Sequence, residues 1–191
     1  MNNRAQAIQI AREKLASQPL YLDTETTGID RSSEIVEICI VDYDCSLVFQ
    51  SLVKPVGSIP ADATRIHGIT NDMVRSAPAW YKIWPELESL LEDRTIGIYN
   101  AEFDLRLLQQ THARYKIPWH AALKGSAFCI MKLYAQYYGE WDPIRGSYRW
   151  QSLAAAGREC SIPVLNTHRA LDDTLLAREV LHFIAGAQTD E

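Results

Sequence analysis

Two acidic residues, Asp23 and Glu25, lie two positions apart in the segment LDTET. In an extended strand such residues point to the same face, so both carboxylates are expected on one side, with Cα atoms roughly 6.6 Å apart. Like charges held this close repel each other and are costly to desolvate. An isolated pair of this kind is more often part of a solvated turn, so it predicts a functional site only if further acids join it.

A second candidate acid is Asp104, in the segment IYNAEFD. Asn100 is expected to cap a helix there, which places Asp104 in the first turn of that helix. An acid in this turn also interacts favourably with the helix dipole, so a purely stabilising role is an alternative. Glu102 is the rival candidate. Asp104 shares a helix face with Leu107 and Leu108, and we therefore expect it to point inward.

The segment NTHRALDD supplies a further acid and a histidine. Asp173 falls on the same helix face as Val180 and Ile184, which predicts that Asp173, not Asp172, points inward. His168 precedes Asp173 by five residues, which is about 140° around a continuous helix. If the two side chains meet, His168 must lie on the loop that enters the helix. A lone histidine is more often an ordinary surface or core residue than a catalyst.

The elements that must position these residues are predicted from hydrophobic periodicity and turn chemistry. Strands are predicted over 20–24, 35–41, 47–53, 95–99 and 127–130. Helices are predicted over 4–16, 61–66, 71–74, 80–91, 150–156 and 171–184. Two further helices are predicted, one that begins directly after Asn100 and one that ends at residue 138. The first three strands fit an antiparallel meander, and strands and helices alternate afterwards. This order predicts one α/β domain with a mixed β-sheet flanked by α-helices.

The stretch 139–146 is predicted to be a loop, in a region that is rich in aromatic and basic residues. These side chains could guide a nucleic-acid strand, but an irregular connector that packs its aromatic rings inward is the favoured interpretation. The residues concerned are Trp141, Arg145, Tyr148, Arg149 and Trp150.

Composition limits the class of protein. The chain has 191 residues, a net charge of −5 and 47 % hydrophobic residues, which favours one folded domain over a disordered chain. Neither a transmembrane run nor a secretory signal is evident, and the four cysteines lack the spacing of a zinc site or a disulfide scaffold. These observations predict a cytoplasmic protein without a membrane partner. The acidic balance by itself argues against a nucleic-acid partner.

The three acidic segments together resemble the histidine subclass of the DEDD superfamily of 3′–5′ exonucleases. The matching segments are YLDTETTGID, NAEFD and HRALDD, in this order, and IHGITNDMV is similar to a linker of the proofreading members. The resemblance extends over residues 19–185, and it implies a ribonuclease H-like fold. Residues 1–18 are expected to form a helical extension outside this exonuclease domain. The tyrosine subclass is excluded, because Arg169 stands where its tyrosine would be.

The resemblance also implies a chemistry. Asp23, Glu25, Asp104 and Asp173 would hold two divalent ions, Mg²⁺ or Mn²⁺, and His168 would take a proton from the attacking water. The substrate would be nucleic acid with a free 3′ end, expected to be single stranded, and the products nucleoside 5′-monophosphates. Two bound cations would offset most of the negative charge, which weakens the objection from composition. The candidate substrate-binding residues are Thr26, His67, Asn100 and Phe103, with a plain core position as the equal alternative for Phe103.

Two alternatives stay open at this point. The chain could be a catalytically silent nucleic-acid-binding or polymerase-partner module on the same fold, or a metal-dependent phosphohydrolase of free nucleotides. The N-terminal helix could serve a homodimer or a polymerase partner. Neither the choice between DNA and RNA nor the substrate length follows from the sequence.

Overall fold

A five-stranded sheet forms the centre of the computed structural model, which describes residues 3–119, 126–164 and 166–188. The strand order is β3-β2-β1-β4-β5. Strand β2 pairs antiparallel with β1 and β3, whereas β4 is parallel to β1 and β5, so the predicted mixed sheet is confirmed. The strands are β1 (Leu20–Thr26), β2 (Ile35–Val41), β3 (Leu47–Leu52), β4 (Ile96–Ile98) and β5 (Ala127–Cys129).

Helices cover both faces of the sheet. The described helices are α1 (Asn3–Ala16), α2 (Ala61–His67), α3 (Asn71–Val74), α4 (Trp80–Leu91), α5 (Ala101–Arg114), α6 (Ile130–Tyr138), α7 (Leu153–Glu159) and α8 (Ala170–Gly186). The start predicted for α7 is three residues too early, because the hydroxyl of Ser152 accepts a hydrogen bond from Ala155 N–H and caps the helix there. None of these described helices has the length and apolar character of a transmembrane span.

Strand β1 separates two hydrophobic cores, because its side chains alternate between the faces of the sheet. Leu20 and Leu22 pack with residues of α4 and α5 on one face, including Trp80 and Leu107. Tyr21 packs on the other face with residues of α1, α6 and α8. The strand that carries Asp23 and Glu25 is therefore held from both sides.

Helix α1 is part of the second core. Ala7, Ile8 and Ala11 are fully buried in the cluster that also contains Val180 of α8. The guanidinium of Arg12 donates hydrogen bonds to two carbonyl oxygens at the end of α8, at 2.9 and 3.0 Å. The segment expected to extend from the domain is thus integrated into it, since its apolar face has a matching surface on α8.

The stretch predicted to be a loop contains a small hairpin of β6 (Trp141–Asp142) and β7 (Ser147–Tyr148). Trp141 is 54 % exposed and Trp150 49 %, so the prediction that the aromatic rings pack inward is wrong for both. The ring of Trp141 instead meets that of Tyr148 edge to face at the surface, with centroids 5.2 Å apart.

Candidate active site

The acidic residues predicted from the three segments converge at one edge of the sheet. Strands β1 and β4 are parallel, so their carboxyl ends lie side by side. Asp23 and Glu25 are on the last part of β1, and β4 leads through Asn100 into α5, which carries Asp104. Helix α8 packs against β1 and β2 and brings Asp173 in its first turn to the same edge.

Asp104 is buried at 2 % exposure, whereas Glu102 lies on the surface and pairs with Lys132. This confirms the orientation predicted from the helix period. The hydroxyl of Thr24 donates a hydrogen bond of 2.7 Å to Oδ1 of Asp104. Thr24 lies between the two acids of β1, so its side chain leaves the opposite face of the strand, toward α5.

Asp173 is also buried, as the helix period predicted, and its carboxylate is oriented by the preceding loop. The backbone N–H of Thr167 donates to Oδ1 at 3.1 Å, and the side-chain amide of Asn166 donates to Oδ2 at 2.5 Å. The neighbouring Asp172 instead accepts a hydrogen bond from the Thr167 hydroxyl at 2.6 Å. The two adjacent acids therefore have separate environments.

His168 lies on the loop just before α8, as expected if its side chain is to approach Asp173. Its backbone adopts the left-handed conformation, with φ of 54°. The side chain is 53 % exposed, and Nδ1 lies 4.0 Å from Oδ2 of Asp173. One ligand atom each from Glu25, His168 and Asp173 lies within 4.8 Å of the others, a spacing compatible with a shared metal ion.

Burial raises the pKa of all four acids, and the charges of neighbouring acids raise it further for Asp23 and Glu25. Burial, followed by the charge of Asp173, raises the pKa of Glu25 to about 8. Burial raises the pKa of Asp104 to about 7 against the opposing hydrogen bond from Thr24, and that of Asp173 to about 6. Burial and the charge of Asp104 raise the pKa of Asp23 well above its usual range. Four crowded carboxylates fit a hard divalent cation, which prefers oxygen ligands and would favour their ionised forms.

These raised pKa values predict that the metal-free protein loses stability as pH rises. The acids titrate near pH 4 in the unfolded chain, so their contribution to stability is fully present below about pH 4 and is lost by about pH 8. We expect the melting temperature in EDTA to fall between pH 5 and pH 8.5. Added Mg²⁺ or Mn²⁺ should raise it more at pH 8.5 than at pH 5. A melting temperature in EDTA that is the same at both pH values would contradict the prediction.

A cavity of about 450 Å³ opens beside Glu25. Three of the four candidate substrate-binding residues, Thr26, His67 and Phe103, line it together with apolar side chains such as Ile66. Phe103 also packs against the core beneath α5, so it belongs to both environments.

His67 is buried, and backbone groups engage both of its ring nitrogens. Ile69 N–H donates to Nδ1 at 3.0 Å, so the ring proton belongs on Nε2, which lies 3.2 Å from the carbonyl oxygen of Thr26. Burial lowers the pKa of His67, in keeping with a neutral ring. In this structure the ring therefore donates a hydrogen bond to the backbone of Thr26, the residue that follows Glu25.

Asn100 directly precedes α5, but its predicted capping role is wrong. Its backbone is left-handed, with φ of 64°, and its side chain caps none of the described amides of the first turn. Asparagine tolerates this conformation better than most residues, which explains its use where β4 turns sharply into α5.

Several residues that orient the site were missed in the sequence. Thr24, Asn166 and Thr167 are hydroxyl or amide residues adjacent to candidate acids, and nothing in their spacing marks them. Glu37 could have been recognised in the sequence, because it is a single charge in the otherwise apolar strand IVEICIV. Such a charge is rarely fully buried unless it is paired.

The chain belongs to the RNase T family of exonucleases, whose model matches residues 20–181. An uncharacterized exonuclease, CP81, of Escherichia phage 186 is 38 % identical over 181 residues, which cover 93 % of each chain. The DNA polymerase III subunit epsilon of Treponema pallidum is 28 % identical over 163 residues, covering 83 % of this chain and 72 % of the relative. Other relatives are longer, and the chain covers 42 % or less of several of them.

A solved structure of exonuclease X in complex with 5′ overhanging duplex DNA superimposes with a TM-score of 0.62 at 28 % identity. The match covers 86 % of this chain and 89 % of exonuclease X. The ribonuclease H-like fold predicted from the sequence is thereby confirmed.

Proposed function

We propose that this protein is a metal-dependent 3′–5′ exonuclease of the histidine subclass. It removes nucleoside 5′-monophosphates from the 3′ end of nucleic acid, with single-stranded ends as the preferred substrate. The observation that carries the proposal is the approach of Glu25, His168 and Asp173 to within 4.8 Å of one another, next to Asp23 and Asp104.

Asp23, Glu25, Asp104 and Asp173 are the residues that would hold two divalent cations, Mg²⁺ or Mn²⁺. Such cations, when bound, lower the pKa of water and stabilise the charge on the leaving 3′ oxygen. The protein orients two of these acids by hydrogen bonds, Asp104 through the Thr24 hydroxyl and Asp173 through Asn166 and Thr167 of the loop before α8.

His168 is the candidate general base. Its ring is solvent-accessible and close to Glu25 and Asp173, so it can reach a water molecule beside the acids. Histidine is the side chain that most often acts as a general base at neutral pH.

The terminal nucleotide would occupy the cavity beside Glu25. Phe103 would offer an aromatic surface to the base, and stacking of this kind tolerates any base. Thr26 would present its backbone to the sugar, with His67 holding the Thr26 carbonyl. Asn100, at the turn between β4 and α5, is the remaining candidate contact.

The experiment that tests this function uses one oligonucleotide labelled at either the 3′ or the 5′ end. With Mg²⁺ or Mn²⁺ we expect labelled 5′-mononucleotide at once from the 3′ label and a shortening ladder from the 5′ label. EDTA should stop both. Metal-dependent binding without cleavage would indicate a silent module instead, and hydrolysis of nucleoside triphosphates alone would indicate a phosphohydrolase. Matched DNA and RNA, single and double stranded, would define the substrate.

Replacing His168 by Ala should lower the turnover number at pH 7.5 by about 100-fold, because general-base catalysis contributes on that order. The affinity for Mn²⁺, measured by calorimetry, should change much less, since four carboxylates remain. The limb of the pH–rate profile that reports the base should disappear as well. An unchanged profile would rule out His168 as the base.

A further inference from the structure

Glu37 is the most deeply buried charged group near the site that the proposed chemistry does not use. It lies in the middle of β2, directly opposite Glu25 in the β1–β2 register, and its side chain is 1 % exposed. An ionised carboxylate at such a depth requires strong hydrogen-bond donors.

Those donors come from the chain segment that contains His168. The guanidinium of Arg169 donates to both Glu37 oxygens, from Nε at 3.0 Å and from Nη2 at 2.6 Å. The backbone N–H of Ala170, the first residue of α8, donates to Oε2 at 3.1 Å. Burial would raise the pKa of Glu37, but these bonds outweigh it and hold that pKa below its ordinary value.

This arrangement holds His168 from both sides. On one side, Thr167 N–H is bonded to Asp173; on the other, Arg169 and Ala170 are bonded to Glu37. Between them His168 has the left-handed backbone that non-glycine residues seldom adopt. More than half of its side chain is in solvent, so packing contributes little to its position and the backbone must supply it.

We propose that Glu37 and Arg169 form a clamp that positions His168, and that they are therefore positioning residues for catalysis. The inference rests on the proposed function, because it gives His168 a catalytic role. The clamp acts through the geometry of the His168 backbone and not by contact with the substrate.

The test is a double-mutant cycle in the full-length protein. Glu37→Gln keeps the shape of the side chain, but its amide cannot accept both bonds from Arg169. We expect it to lower the turnover number about tenfold or more with KM for a single-stranded oligonucleotide within about threefold. In a His168→Ala background the same change should cost less than about twofold, since residues that act as one unit are not additive. A full tenfold loss in that background would overturn the proposal.

A second variant covers the case in which Glu37→Gln does not fold. Arg169→Lys keeps the charge at a position that is 39 % exposed, but a single ammonium cannot replace the two-pronged contact. It should reproduce the loss of turnover and its dependence on His168. Wild-type turnover in Arg169→Lys would contradict the proposal.

The matched control is Asp42→Asn, which breaks the half-buried pair between Asp42 and Arg94 at the opposite edge of the sheet. Its turnover should stay within about twofold of wild type.

Hydrogen exchange of the Ala170 amide in the metal-free protein gives a readout that is independent of activity. Exchange at least about tenfold faster in Glu37→Gln, with the core amides of β2 unchanged, would show that the clamp holds the entry to α8. Unchanged exchange would overturn the clamp. A wild-type protein without nuclease activity would instead refute the proposed function, and the exchange measurement would still decide whether the clamp exists.

Discussion

Replacing Asp173 by Asn is expected to abolish metal-dependent release of nucleotides, with a loss of at least about a thousandfold, on the scale of the effects that metal ions exert on hydrolysis. Asp173 is buried, shares the site with Glu25 and His168, and has one carboxylate oxygen held by Thr167 N–H. The amide of asparagine keeps the size of the side chain but loses the charge that would attract the cation. The assay is release of the 3′-terminal nucleotide with Mg²⁺ in excess.

Asp172→Asn is the matched control, because it makes the same chemical change one position away on α8. Asp172 accepts a hydrogen bond from the Thr167 hydroxyl and is not part of the cluster of Glu25, His168 and Asp173. Its activity should stay within about threefold of wild type, as for most changes outside a site. If Asp172→Asn lost activity and Asp173→Asn kept it, the assignment of the acid would be wrong.

A large effect on stability is expected from a substitution in helix α1. Ile8 of α1 is fully buried in the cluster that contains residues of α6 and α8, and Ile8→Ala would leave a cavity in this second core. Substitutions of this kind cost about 2–5 kcal/mol, a large part of a typical unfolding free energy of about 5–15 kcal/mol. We expect a much lower midpoint in urea denaturation and, where the protein still folds, unchanged turnover per folded molecule.

Gln9→Ala tests whether this effect arises from burial. Gln9 is the next residue of the same helix and is exposed, with its side chain bonded to Glu13 on the surface. Its replacement by a strong helix former should change the unfolding free energy by less than about 0.5 kcal/mol. Equal destabilisation by both substitutions would contradict the assignment of the effect to the burial of Ile8.

Helical periodicity correctly predicted which acidic side chains of α5 and α8 point into the molecule. The 3.6-residue period of α5 and α8 separates Asp104 from Glu102 and Asp173 from Asp172, and the structure places the inward member of each pair as expected. The mixed sheet followed in the same way, from an almost continuous apolar strand and the order of the elements.

Contacts that depend on distant parts of the chain did not follow from any pattern. The apolar face of α1 is visible in the sequence, but its partner on α8 lies more than 170 residues away. The left-handed backbone at Asn100 arises from the junction of two elements, and a cap is the simpler expectation there. Glu37 looks like an interruption of β2 until Arg169 is brought to it by the fold.

The pairing of α1 with α8 also has a consequence for the order of folding. Arg12 and the carbonyl of Ala185 are 173 residues apart in the chain, so their contact closes one of the longest loops in the domain. Contacts of such separation form slowly, since chain entropy opposes them until other structure is in place. During synthesis, α1 leaves the ribosome before α8, and its apolar face cannot complete the second core until α8 emerges. In that interval α1 is exposed to chaperones and to self-association, and the nuclease site at the start of α8 is completed only as the second core closes.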